Sequence, residues 1–290
     1  MNTVKLTMLN LHVWCMLLDW GLTVFAVPFL LFPAMAGIPL GIWTSVFGIS
    51  AFVQCYFIVT WIYTAGIGIA LIFENRYYHI SGRNGVWRQY RVPFIVLNYF
   101  LNITFLIPAM SKIPKQTGAL KLVFEQLPSL SAEIKTYPIY VLSNEYFWVL
   151  FPFYFMAVLV IGESFVFCGL IYRNLNSNYG ITRSRNTTTL QKKFLRAMYS
   201  QVAVLVFSFV FPALYVTFAI IFNYYNQSGN NIVFIILALH GISSTVVMLW
   251  AHKPYRTVCC KLAEKLQLRV KLRNIPQERR LPRIVISVVS

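Results

Sequence analysis

Six apolar stretches, each long enough to cross a membrane as a helix, make up most of this chain. They are residues 9–32, 40–73, 93–110, 146–172, 197–222 and 232–251. About 20 mostly apolar residues span the hydrocarbon core of a bilayer, and a helix satisfies its own backbone hydrogen bonds there. The chain is 58% hydrophobic and 11% charged, which excludes an ordinary soluble domain. The sequence therefore predicts an all-α membrane protein, a helical bundle of six transmembrane spans.

The basic residues alternate with the spans. Three stretches carry most of the Lys and Arg and few or no acids: 76–91, 173–196 and 252–290. Between them, residues 112–145 balance four Lys against three Glu, and residues 223–231 carry no charge. Because Lys and Arg are retained in cytosolic loops, the three basic stretches are predicted to be cytosolic, and an even number of spans places both termini there. The net charge of +17 then favours anionic lipid headgroups and a cytosolic partner over nucleic acid.

The end of the chain differs from the rest in composition. We predict a transmembrane helical bundle at residues 1–255 and a basic cytosolic tail at residues 256–290. Apolar residues recur among the Lys and Arg of the tail, which is typical of an amphipathic helix on the membrane surface. Cys259 and Cys260 follow the last span beside basic residues, so both are candidates for S-palmitoylation.

The second apolar stretch ends in Glu74-Asn75-Arg76-Tyr77. This acid-x-Arg-Tyr arrangement looks like the motif at the inner end of the third helix in rhodopsin-like G-protein-coupled receptors. An acid paired with Arg76 would hold a helix bundle shut, and release of the arginine would open a crevice for a G protein. Arginine is also common at membrane interfaces as an anchor, so the motif alone leaves both interpretations open.

Further motifs follow in a specific order. They are Trp87-Arg88, Leu97-Asn98-Tyr99, residues 188–194, residues 224–227, residues 240–248 and His252-Lys253-Pro254-Tyr255-Arg256. Together they resemble the nematode serpentine chemoreceptors of the seven-transmembrane G-protein-coupled receptor superfamily, most closely class H, up to about residue 260. The resemblance implies a chemoreceptor that signals through a heterotrimeric G protein. It would lie in the plasma membrane of sensory neurons, in the part that covers the cilium.

The resemblance also implies roles for particular residues. The residues for G-protein coupling and switching are Glu74, Arg76, Tyr77, Lys192 and Lys193, and the family motif after the last span comprises His252, Pro254, Tyr255 and Arg256. Residues 1–5 and 9–12 look like the cytosolic turn and second helix of that family. We therefore expect the chain to lack the first helix, with its six spans corresponding to helices 2–7.

Three ionisable residues fall inside the predicted spans, where a charge is costly unless it is paired or faces water. Asp19 lies where rhodopsin-like receptors keep an ion-binding aspartate. Two interpretations remain open for it: a polar switch inside the bundle, or a hydrogen-bonded packing residue. The depth of Glu163 favours an interhelical hydrogen bond. His240 is the better candidate for a ligand pocket, although a histidine in a membrane more often bonds to a neighbouring helix.

Several functions lack the residues that they need. Residues 112–145 contain no cysteine, so the disulfide that joins helix three to this loop in many rhodopsin-like receptors is excluded. The cysteines within the spans have no metal-ligand spacing, and we expect no metal and no cofactor. Without a catalytic constellation the chain is not expected to be an enzyme. Of three Asn-x-Ser/Thr sequons, only Asn226 falls in a predicted outer loop, which makes it the glycosylation candidate.

The leading hypothesis is a chemosensory G-protein-coupled receptor that detects a small molecule and is impaired if it is truncated. A small six-span transporter or channel remains open, since both termini inside the cell is a common transporter topology. Against it, the spans have few of the charges and broken helices that ion coupling needs. A non-functional relic of a receptor also remains open, because motifs persist after function is lost.

Overall fold

The computed structural model describes residues 2–80, 85–177, 185–251 and 253–273. The helices are α1 (Asn2–Trp20), α2 (Ile42–Ser45), α3 (Ala51–Ile80), α4 (Trp87–Thr104), α5 (Ile107–Ser111), α6 (Gln116–Gln126), α7 (Phe147–Ser177), α8 (Arg185–Ile221), α9 (Gln227–Ala238), α10 (His240–Ala251) and α11 (Lys253–Arg273). A π-helix at Gly21–Phe25 continues α1, and a 3₁₀ turn lies at Ile134–Thr136. The strands are β1 (Pro28–Leu30), β2 (Ala36–Pro39) and β3 (Tyr140–Val141).

Five helical segments in the described part of the chain are long and apolar enough to span a membrane. They are Leu6–Phe25, Ala51–Ile80, Trp87–Ser111, Phe147–Leu175 and Val202–Ile221. The pair Gln227–Ala238 and His240–Val247 passes the same criteria together but is bent by 43°. If this bent pair is one span, there are six. The all-α membrane bundle predicted from the sequence is confirmed, although its second span begins at Ala51 and not near residue 40.

Helix α3 is the centre of the bundle and packs against α1, α4 and α7. Of its most apolar stretch 61% is buried within the protein, against 22% for α7. Small residues permit this close approach, as they commonly do between membrane helices. A β-carbon on Gly66 would lie 3.2 Å from Val160 of α7, and one on Gly68 would lie 3.3 Å from Leu11 of α1. The remaining surface of the long helices displays large apolar side chains that suit contact with lipid acyl chains.

A small cap that the sequence did not predict covers one end of the bundle. Strands β1 and β2 form an antiparallel hairpin, and β3 adds antiparallel to β2 with Ala36 opposite Val141. Gln116 of α6 extends this sheet through its side chain, because its amide donates to Val141 O (3.0 Å) and accepts from Val141 N (2.8 Å). The cap has a core of its own, made by Leu31, Ala34, Ala36, Ile38, Ala119, Val123, Leu127, Leu130, Ile139 and Val141.

The described residues divide into two compact units, with the boundary after Ser244. The first unit, residues 1–244, contains the cap and the bundle from α1 to the start of α10. The second unit, Thr245–Ser290, contains the rest of α10 and helix α11. Along α11 the side chains of Val258, Leu262 and Leu266 are exposed.

Candidate functional site: a polar network, a buried ion pair and an apolar cavity

A polar network joins α3 to α4 at the end of α3 that is predicted to be cytosolic. Glu74 is buried and lies 3.1 Å from Nε of Arg91, which forms an ion pair with it. Trp87 Nε1 donates to the same carboxylate at 2.8 Å. Trp87 and Arg91 are four residues apart on α4, so both side chains reach the same face of that helix. The network therefore satisfies a buried carboxylate from two positions of one neighbouring helix.

Asn75 extends this network to a third helix. Its side-chain oxygen accepts a hydrogen bond from Arg91 Nη2 at 2.9 Å, and its Nδ2 donates to Thr7 Oγ1 of α1 at 3.3 Å. The guanidinium of Arg91 also lies over the ring of Tyr78, 4.2 Å from its centroid. Arg91 thus contacts Glu74, Asn75 and Tyr78 of the motif region, and α1, α3 and α4 are linked at one level of the bundle.

This geometry narrows one sequence-based hypothesis about the acid that pairs with Arg76. The sequence left open which acid pairs with Arg76, and the acid of the motif itself, Glu74, pairs with Arg91. The physical reason is helical geometry, since residues two apart on a helix point in different directions and do not face each other. Tyr77 turns towards the bundle, where its ring lies 6.3 Å from Trp87 and 5.9 Å from Phe167.

Other residues of the predicted switch and family motif are only partly described. Lys192 is exposed on α8, and Arg256 is exposed on α11. His252 lies outside the described residues, as do the side chains of Lys193, Pro254 and Tyr255. The roles that the sequence suggests for those four residues therefore stay predictions.

Asp19 and His240, singled out separately from the sequence, lie together in the bundle. His240 Nδ1 is 3.2 Å from Asp19 Oδ1, and it also lies 2.8 Å from the carbonyl oxygen of Leu237. The backbone N–H of Gly241 donates to the Asp19 carboxylate. Asp19 of α1 therefore caps the start of α10 from a different helix, just after the bend between α9 and α10. His240 is fully buried, and its ring packs 5.2 Å from Phe209.

Glu163 has an interhelical partner. Asn98 Nδ2 of α4 donates to Glu163 Oε1 of α7 at 3.1 Å. One turn further along α4, Asn102 Nδ2 donates to Thr64 Oγ1 of α3 at 2.8 Å. These side chains form a second set of polar contacts around α4, deeper in the bundle than Glu74. Asn102 was noted in the sequence only as a sequon within a span, and the spacing of Asn98 and Asn102 on one helical face was the signal that was missed.

A large apolar cavity of about 1050 Å³ lies in the first unit, between the helices and beneath the cap. Its wall is formed by residues of the π-helix, β1, β2, α3, β3, α7, α8 and α9. Most wall residues are aliphatic or aromatic, as in sites for small organic ligands. Burial, and secondarily the nearby Cys55, raises the pKa of the wall residue Tyr140 to about 12, so its phenol is neutral at physiological pH.

The three ionisable residues of the spans are not among the described residues that line this cavity. His240, expected as the pocket residue, lies behind the wall, since Phe209 and Leu237 belong to the wall and both contact it. Asp19 and Glu163 are likewise held by partners on neighbouring helices. The sequence could not tell which side of each helix faces the open space.

The cysteines are free thiols, and Cys259 and Cys260 are exposed on α11. Asn226 is the N-cap of α9, where its side-chain oxygen accepts from Gly229 N at 3.0 Å and its Nδ2 donates to Tyr224 Oη at 3.1 Å. Its sequon is therefore folded into a helix start. Among the described residues no group of three or more His, Cys, Asp or Glu side chains is arranged to hold a metal ion.

The bundle of long apolar helices with its buried polar contacts makes this chain a multi-pass membrane protein. The family model described as serpentine type 7TM GPCR chemoreceptor Srh matches residues 1–265. The chain therefore belongs to the Srh family of serpentine chemoreceptors, which confirms the resemblance found in the sequence and excludes an enzyme. No curated protein and no solved structure gives a significant match to it.

Proposed function

We propose that this chemoreceptor binds a small apolar molecule in the cavity and signals to a heterotrimeric G protein at the opposite end of the bundle. The observation that carries the proposal is the cavity itself. Its volume is of the size that holds small organic ligands, and its wall is nearly all apolar. Helix α3 lines the cavity and also carries Glu74 and Asn75 of the polar network. A receptor needs these two regions to share structural elements so that occupancy of one alters the other.

Phe73 and Tyr199 are the residues through which such coupling would act. Both belong to the cavity wall, and their rings stack with centroids 5.6 Å apart. Phe73 directly precedes Glu74, whose carboxylate is held by Arg91 and Trp87. A ligand that displaces the Phe73 ring would therefore shift the end of α3 relative to α4 and α8. Binding would favour one of two bundle arrangements through its higher affinity for that arrangement.

The cytosolic readout would use the basic face of the bundle. Arg76 and Tyr77 follow the network on α3, and Lys192 and Lys193 lie on α8 in the next basic stretch. In this mechanism the Glu74–Arg91 ion pair stabilises the resting arrangement, and its rearrangement exposes the region around Arg76 to the G protein. The same proposal places the chain in the plasma membrane of sensory neurons, at their cilia.

The test is a cell assay of G-protein activation with a panel of volatile apolar compounds. We expect at least one compound to activate the wild-type chain, and Arg76→Ala to abolish the response while surface expression stays intact. Arg88→Ala is the matched control, because Arg88 is exposed in the same basic stretch, and it should respond as wild type. An unchanged response of Arg76→Ala contradicts the proposed readout. Ion flux in reconstituted vesicles, without G-protein activation, favours a channel or transporter.

A further inference from the structure

Gln54, near the start of α3, is a buried polar residue in an apolar wall. It lies in the cavity wall and is only 2% exposed. Its side-chain oxygen Oε1 has no hydrogen-bond partner. Several buried side-chain atoms of the described residues lack a partner, and Gln54 Oε1 is the one that belongs to a residue of the cavity wall. A buried acceptor without a donor is unfavourable, so this oxygen calls for a partner that the described residues do not supply.

The orientation of the Gln54 amide is determined by its nitrogen. Nε2 donates to Thr44 Oγ1 and to the carbonyl oxygen of Ile49, both at 2.7 Å. A carbonyl oxygen accepts hydrogen bonds and never donates them, so exchanging the amide oxygen and nitrogen would bring two acceptors together at Ile49. The assignment of Oε1 as the unsatisfied atom therefore follows from chemistry.

Three hydroxyl groups of the wall already have hydrogen-bond partners within the protein. Tyr63 Oη donates to the carbonyl oxygen of Phe153 at 2.5 Å, and Ser164 Oγ donates to that of Val160 at 2.8 Å. Tyr154 Oη bonds to Thr217 and to the carbonyl oxygen of Ala213. Each of these hydroxyls already takes part in a hydrogen bond within the protein, whereas Gln54 Oε1 is the buried side-chain atom of the described wall residues that has none.

We propose that Gln54 Oε1 is a recognition point for the hydroxyl of an apolar alcohol, whose hydrocarbon part fills the rest of the cavity. This deepens the proposed function, because it rests on the cavity being the ligand site and names the chemical class of the ligand. The oxygen has essentially no exposed surface, so the hydroxyl reaches it by displacing adjoining apolar side chains. A ketone of the same shape offers only an acceptor, which Gln54 Oε1 repels.

The experiment compares matched alcohols and ketones on the purified full chain in lipid nanodiscs. The probes are 2-nonanol with 2-nonanone, 2-heptanol with 2-heptanone, and cyclohexanol with cyclohexanone. Dissociation constants come from the concentration dependence of thermal stabilisation, corrected for partitioning into empty nanodiscs. A net hydrogen bond of ordinary strength corresponds to roughly ten-fold in affinity. We expect at least one alcohol to bind about ten-fold more tightly than its ketone.

Two variants isolate the contribution of Gln54. Gln54→Met retains the length of the side chain but lacks the acceptor, and we expect it to bind alcohol and ketone equally. Ile62→Met changes another wall residue of α3 and should keep the ten-fold ratio. Because each probe partitions into the same lipid in all samples, the ratio between variants is independent of partitioning. If Gln54→Met does not fold, equal binding of each alcohol and its ketone by the wild type still overturns the role of Gln54.

Each outcome bears on the proposal. Equal binding of every pair by the wild type, or a preference that persists in Gln54→Met, overturns the role of Gln54 and leaves the cavity as an apolar ligand site. Stabilisation by none of the six probes overturns the recognition of alcohols and counts against the cavity as the ligand site. A ten-fold preference for the alcohol that is lost only in Gln54→Met establishes the proposed role of Gln54.

Discussion

Gly241, the second residue of α10, lies against the carboxylate of Asp19. A β-carbon at this position would overlap Asp19 Oδ2, and its other nearest atoms also belong to that carboxylate. Gly241→Ala therefore forces Asp19 away from the Gly241 N–H and from His240 Nδ1, which is 3.2 Å from Asp19 Oδ1. Hydrogen bonds to charged groups contribute about 1.5–3 kcal/mol. Two such contacts at the lower value amount to about 3 kcal/mol. Alanine returns up to about 1 kcal/mol through its higher helix propensity, so we expect a net loss of roughly 2 kcal/mol.

The measurement is thermal unfolding of the purified variants in the same detergent. At about 2–4 °C per kcal/mol, Gly241→Ala should lower the midpoint by roughly 4–8 °C. Gly162→Ala on α7 is the matched control, because a β-carbon there meets nothing within 4 Å. Its midpoint should stay the same or rise, so the two glycines differ in the sign of the effect.

A double-variant comparison tests the assigned cause. In an Asp19→Ala background the carboxylate is absent, and Gly241→Ala should then cost little or nothing. This is the logic of a double-mutant cycle between residues in contact. If Gly241→Ala lowers the midpoint equally in both backgrounds, the clash with Asp19 is not the cause, and the proposed cap of α10 by Asp19 is wrong.

Three further predictions concern the ends of the bundle. Arg91→Ala leaves the Glu74 carboxylate buried without its ion-pair partner. We therefore expect thermal unfolding to show a loss of about 3–5 kcal/mol in stability. Ligand-independent G-protein activation should rise. An unaltered midpoint would contradict the network. Replacing Cys259 and Cys260 together by Ser should remove the acyl-exchange signal of S-palmitoylation, and a wild-type chain without that signal would refute the assignment. Since Asn226 is engaged as a helix cap, Asn226→Gln should migrate as wild type before and after glycosidase treatment. A wild-type chain that shifts on treatment, when Asn226→Gln does not, would contradict this expectation.

Local sequence patterns were sufficient for the membrane class and for the approximate position of each span. Apolar length and loop charge act through the bilayer, which treats each segment almost independently. The same patterns could not predict the cap, because Ala36 and Val141 pair across a long stretch of chain. The bend before His240 was also missed, since His240 and Gly241 lie in an apolar stretch with no proline to mark a break.

Side-chain partners were the least predictable part of the candidate site. Asp19 and His240 were each recognised as costly in a membrane, yet nothing in the sequence indicated that they would meet. The sequence indicated that Glu74 belongs to a motif but not that Arg91, 17 residues away, would be its partner, because packing of α3 against α4 brings the two together. Gln54 drew no attention at all, because one amide near the start of an apolar helix resembles any interfacial polar residue.

The sequence by itself determined that this chain is a membrane helical bundle of the Srh chemoreceptor family, because hydropathy, loop charge and ordered motifs are properties of the chain alone. Only the tertiary structure decided which polar groups of the described residues are paired, and that the buried Oε1 of Gln54 in the cavity wall has no partner among them. That difference has a physical cause. Insertion into lipid depends on the composition of each segment, whereas a hydrogen bond depends on the rotation and packing of two helices to within a fraction of an ångström.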